Sequence, residues 1–195
     1  MSIKSTASNH SLPQFWTSVV PLSWLQKACL VLAGTALLAL SAKIAIPFWP
    51  VNTTMQSFTV IALGSLYGRH LGVATVLLYL FEGAIGLPVL TGVPGFGLAY
   101  MAGPTAGFLL GFILAAYVSG ALVERGWGKS IGGALMVFVC GDLVIHLPGM
   151  VWLVYLVGFE AYFNNFVAWL PALVVKEFLG AASLPIVSPF LRRSV

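Results

Sequence analysis

The sequence predicts an all-α integral membrane protein of six transmembrane helices with both termini in the cytoplasm. Three observations carry this. Apolar residues make up 59% of the 195 positions, and Asp, Glu, Lys and Arg together only 7%. A soluble domain carries about 25% charged residues. Six stretches have the apolar length needed to cross about 30 Å of hydrocarbon. The cations between them fall on one side. This composition excludes a soluble enzyme, a disordered tail and a nucleic-acid binder, in spite of a net charge of +4.

The first span covers residues 25–46 and ends at Pro47. The second, 53–67, is short and polar at its start. The third covers 71–90, with Pro88 bending it or ending it early. The fourth opens at Pro104, a residue suited to a first helical turn, and reaches 123. The fifth covers 131–157 and is broken around Pro148 and Gly149. The sixth covers 166–186, with Pro171 near its start. This gives a single six-helix domain over residues 25–188. An interfacial N-terminal segment (1–24) precedes it and a cytoplasmic tail (189–195) follows. The first segment lacks a short apolar core with a small-residue cleavage site, so it does not read as a signal peptide. Its Phe15, Trp16 and Trp24 suit the lipid–water boundary.

Lys4, Lys27, Arg69, Arg125, Lys129, Arg192 and Arg193 share one side of this arrangement. The opposite loops, 47–52, 91–103 and 158–165, contain no Lys or Arg. The excess of cations marks the cytoplasmic side. Cys29 and Cys140 stand apart and read as buried free thiols rather than a disulfide or a metal site.

An ionisable side chain at mid-membrane costs roughly 2.5–3.5 kcal/mol on insertion scales and usually faces the protein interior. Lys43, Glu82, Asp142, Lys176 and Glu177 are the candidates, and His146 adds a titratable ring. Lys43 is close enough to the outer end to snorkel, with a ligand role as the other reading. Tyr79, Glu82, Gly83 and Gly86 share a helix face. Asp142 and His146, four apart, form either a structural pair or part of a site. Lys176 lies about ten residues into its span, roughly 15 Å at 1.5 Å per residue. An ammonium that deep needs a partner. The partner is either a ligand or a carboxylate, Glu82, Asp142 or Glu177. With Asn52, Thr54, Gln56 and several aromatics, these groups make a polar pocket open to the outer side. It suits a small amphipathic solute, whereas an ion pore would show rings of like groups.

Gly103, Gly107, Gly111, Ala115 and Ser119 recur every four residues in span four. That stripe allows another backbone to come close, inside the bundle or on a partner. Span one carries Thr35, Ala39 and Ala42 in a weaker pattern of the same kind. Gly128-Lys129-Ser130 imitates the end of a phosphate-binding loop, but Val123 stands where that loop needs glycine and no strand precedes it. The chain has no Gly-x-Ser-Gly or His-Glu-x-x-His, which argues against an intramembrane protease. No cofactor or metal is expected.

Residues 77–89 (LLYLFEGAIGLPV) and 97–112 (GLAYMAGPTAGFLLGF) resemble two blocks of the BioY family, biotin-specific S components of energy-coupling-factor (ECF) transporters. Residues 50–56 (PVNTTMQ) resemble that family's P-V-P-x-T-x-Q, with Asn52 at the second proline. The last-helix pattern G-D-x-x-K is met by Lys176 alone, because Ala172 and Leu173 stand at the glycine and aspartate.

The resemblance implies a biotin-binding subunit in a bacterial inner membrane. It would be energised by a separate ECF transmembrane coupling protein and two ATPase subunits, although some members act without them. Asn52, Thr54, Gln56, Tyr79, Glu82, Tyr100, Asp142, His146, Trp169 and Lys176 are then the candidate biotin contacts. The outer loops 47–54 and 91–103 would close over the ligand. Thiamine or pantothenate as the solute, or a membrane scaffold without one, are the alternatives.

Overall fold

The computed structural model describes residues 22–90 and 97–191, with side chains as far as 187. Phe15, Trp16, Lys4 and the last two arginines lie outside the described residues. Helix α1 (Trp24–Lys43) opens on a reciprocal cap. The Gln26 amide donates to Ser23 Oγ at 3.2 Å, and the Ser23 amide donates to Gln26 Oε1 at 2.9 Å. This satisfies donors that the helix cannot use internally.

α1 stops earlier than the apolar run suggested. Residues Ala45–Ile46 form a two-residue strand, β1, paired antiparallel with β2 (Thr53–Thr54). Pairs Ala45–Thr54 and Ile46–Thr53 face each other. Pro47 and Pro50 lie between them, residue types that cannot continue a helix.

Spans two and three form one element, α2 (Gln56–Ala84), which reverses at Gly68. There φ is 81° and ψ is 166°, a conformation open to glycine and strained for other residues. The limbs 56–67 and 69–84 fold back on each other. A Cβ added to Gly72 would stand 2.8 Å from Gly64 Cα. Span three was expected to reach residue 90, but its helix ends at Ala84, well short of Pro88. The first limb measures only about 18 Å at 1.5 Å per residue.

A short helix α3 (Leu98–Met101) leads into α4 (Ala106–Glu124). A 3-10 turn at Trp127–Lys129 joins α4 to α5 (Ile131–Val157). α5 is continuous through Pro148, contrary to the expected break. The Pro148 carbonyl lies against Gly107 of α4, so close packing supports the helix where its ladder is weakened. Gly158, at φ 85°, ends α5, and α6 (Phe159–Leu191) begins at once. The outer loop expected at 158–165 is therefore a single-residue turn. Pro171 lies inside α6 and not near its start.

Among the described residues, five helices are long and apolar enough to cross a membrane. α2 counts once although it folds back, so the bundle has six limbs. The small-residue stripe of α4 is internal. Gly111 meets α5, where an added Cβ would stand 2.7 Å from Ile145 Cα, and Ser119 meets Gly64 of α2. Leu32, Leu114, Leu143, Val151 and Phe178 project outward, as a lipid-facing surface requires. Cys29 is among the exposed residues and Cys140 is half-buried, both as free thiols.

Arg69, Arg125 and Lys129 gather at the end where α2 reverses and α4 meets α5. There Arg69 Nε lies 3.3 Å from Glu124 Oε2. α1 packs on the second limb of α2, where Thr35 Oγ1 donates to Glu82 Oε1 at 3.1 Å.

Candidate functional site

A cavity of about 490 Å³ opens at the end opposite the arginines. Cavities of roughly 300–1,000 Å³ hold small ligands. Segments from along the described chain converge on it. The β1–β2 loop supplies Trp49 and Asn52, and the start of α2 supplies Gln56 and Ser57. α3 and the first turns of α4 add Tyr100, Thr105 and Phe108. α5 contributes Ile145 and His146, and α6 contributes Trp169 and Lys176.

The floor is an aromatic cluster. The Trp169 ring stands edge-on to Phe108 at 5.7 Å and packs against His146 at 6.0 Å. Edge-to-face pairs of this kind are favoured by ring quadrupoles. Trp169 is 3% exposed, and its Nε1 has no hydrogen-bond partner among the described residues.

Lys176 is 6% exposed and donates to Ser57 Oγ at 2.7 Å. Among the described residues the ion pairs join Arg69 to Glu124 and His146 to Asp142, so no carboxylate closes on this ammonium. Its direct hydrogen-bond partner is a neutral hydroxyl, while Asp142 and Glu177, two of the three acids expected from the sequence, act on it only at longer range. A buried ammonium so placed retains donors for an incoming acceptor.

Of the candidate residues, Asn52, Thr54, Gln56, Tyr100, His146, Trp169 and Lys176 line the cavity. Three sit behind its wall. Tyr79 is fully buried; its hydroxyl meets the Gln56 side-chain amide and donates to the Val89 carbonyl at 2.9 Å. It thus fixes a lining residue from behind. Glu82 lies at the α1–α2 seam. Asp142 is 7% exposed and lies 3.8 Å from His146 Nδ1 through Oδ2. Lys43 is also off the cavity. It donates to the Pro88 and Leu90 carbonyls at 3.1 and 3.4 Å, tying the outer end of α1 to the connection after α2.

Within the loop, Asn52 Oδ1 accepts the Phe48 amide at 3.1 Å, and the Thr54 hydroxyl accepts the Gln56 amide at 3.2 Å. These bonds hold the irregular backbone in shape. Burial raises the Tyr100 phenol above its ordinary pKa, so it stays a neutral donor. Ser57, Thr105 and Phe108 were not singled out from the sequence. Ser57 follows Gln56 directly, but only the packing of α6 on α2 shows that it meets Lys176.

The fold and cavity define a multi-pass membrane protein with a solute-sized pocket toward one face. The chain matches the model of the BioY family over residues 9–193 and belongs to that family. It is 34% identical over 167 residues to a probable biotin transporter BioY of Pyrococcus horikoshii, covering 86% of this chain and 96% of that one. It is 37% identical over 153 residues to the biotin transporter BioY of Rhizobium etli, covering 74% and 81%. A crystal structure of the S-component for biotin from an ECF-type ABC transporter shares the fold, with a TM-score of 0.68. The identity is 24%, and 85% of this chain and 94% of that one are covered.

Proposed function

We propose that this protein binds biotin at the outer face of a bacterial inner membrane and mediates its uptake as an S component. Family membership is supported physically by one observation: a buried ammonium, Lys176, lies on a solute-sized cavity at the end away from the arginines. The positive-inside rule turns that end outward. Biotin's fused rings pack on Phe108, Trp169 and Tyr100. Lys176 meets a carbonyl or carboxylate oxygen of the ligand. Asn52, Thr54 and Gln56 present further polar groups, and Tyr79 steadies Gln56. Residues 47–54 and 97–103 close over the guest. Energy comes from a separate ECF coupling protein and two ATPase subunits, in line with the S-component whose fold this chain shares.

The test is thermal stabilisation of the purified protein by biotin, thiamine and pantothenate, each in turn. A ligand that binds only the folded state stabilises it by about 2.7 kcal/mol at a hundredfold excess over its Kd. Biotin alone is expected to raise Tm. A rise with thiamine or pantothenate instead would reassign the solute. No rise with any of them would favour a scaffold.

A further inference from the structure

We infer that His146 is the acceptor for one ureido N–H of the ligand, and that Asp142 sets it in that role through its main chain. The inference rests on biotin as the solute. His146 Nδ1 lies 2.9 Å from the Asp142 carbonyl oxygen, one helical turn earlier. A carbonyl oxygen can only accept, so Nδ1 carries the hydrogen. In the neutral ring Nε2 is then the acceptor.

With Nδ1 tied to the main chain of α5, Nε2 lies on the ring edge away from that carbonyl, and neighbouring aromatic rings hold the imidazole in place. Phe108, Phe166 and Trp169 pack around it at centroid distances of 5.8, 6.2 and 6.0 Å. His146 lines the cavity with its side chain 15% exposed, and Nε2 has no partner among the described residues.

The rest of the cavity makes this acceptor matter. A ureido group brings two N–H donors and one carbonyl. Among the described residues, no Asp or Glu lines the cavity. Asn52 Oδ1 already accepts the Phe48 amide, Gln56 Oε1 accepts the Thr54 hydroxyl, and Ser57 Oγ accepts Lys176. Position 173, one turn before Lys176 on α6, is the buried apolar Leu173. Tyr100 and Thr105 also bring hydroxyls to the cavity, and the amide oxygens keep a second lone pair. Nε2 differs from these hydroxyls in being an acceptor with no hydrogen of its own, its role fixed by the Asp142 carbonyl. A buried donor without an acceptor is expensive, so Nε2 selects a solute that presents N–H at that point.

The test uses the full-length protein in detergent and calorimetric titration with biotin and two carbamate analogues, each with one ureido N–H replaced by oxygen. Wild type should bind one carbamate about tenfold to a hundredfold more weakly than the other, the range expected for an orphaned polar group. His146→Phe keeps the ring and removes the acceptor. It should weaken biotin by a similar factor and bind the two carbamates alike. His146→Gln, which places an amide near the Nε2 position, should recover part of the discrimination. In wild type labelled with ¹⁵N-histidine, the unprotonated Nε2 resonance absent from His146→Gln should move when biotin binds. Equal binding of both carbamates by wild type, or unchanged discrimination in His146→Phe, overturns the inference while leaving biotin as the solute. Wild type that binds no biotin overturns both.

Discussion

Replacing Lys176 with methionine removes the ammonium while keeping an unbranched stem of similar length. The lysine is 6% exposed and its amine is 2.7 Å from Ser57 Oγ, with no carboxylate at salt-bridge distance among the described residues. Two consequences follow, and they have opposite signs. Without ligand, the ammonium has one hydroxyl in direct contact and only the longer-range attraction of Asp142 and Glu177, so its desolvation is a burden that an apolar side chain of like volume relieves. Stability of the empty protein should hold or rise. With ligand, truncating one member of a buried charged contact usually costs about 2–5 kcal/mol. At about 1.4 kcal/mol per tenfold, that is roughly thirtyfold to several thousandfold in Kd. Titration calorimetry gives the affinity, and thermal unfolding without biotin gives the stability. Unchanged affinity would refute ligand contact. Loss of stability in the empty protein would show that Ser57 alone is a sufficient partner and that the lysine is a structural strut.

Glu82→Gln should leave biotin affinity within about twofold of wild type by calorimetry, because Glu82 lies behind the wall and glutamine still accepts from Thr35. A large loss would return Glu82 to the site. Gly111→Val should lower Tm or abolish folded protein, since its Cβ would stand 2.7 Å from Ile145 Cα. Overpacking of this sort costs about 1–3 kcal/mol, and thermal unfolding with size-exclusion chromatography reads the effect.

The bundle was legible where physics acts along the chain. Apolar length marked the spans, and the four-residue stripe of α4 marked a close approach that proves to be internal. Breaks were misread where local rules compete with packing. Pro148 was expected to interrupt α5, but helix contact with Gly107 carries it through. Residues 159–165 carry Glu160, Asn164 and Asn165 and so looked like a loop, yet they extend α6. Part of the cavity lining was legible, Lys176 and Gln56 among it, because polarity in a lipid-buried segment is costly. Glu82 and Asp142 satisfied the same criterion, but Glu82 turns to Thr35 of α1 and Asp142 lies beside His146 on its own helix, and polarity alone cannot tell a ligand from a protein partner. Ser57 and Phe108 are ordinary helix residues whose roles arise from what α5 and α6 bring beside them.

The short first limb of α2, about 18 Å long against a hydrocarbon thickness of about 30 Å, leaves a recess that the β1–β2 ribbon and its proline-rich tip occupy. Irregular main chain at such a depth is tolerated where it lines a cavity. A solute resting on Gln56 and Ser57, at the first turn of that limb, would lie about 18 Å from the turn at Gly68, short of the full thickness of the hydrocarbon.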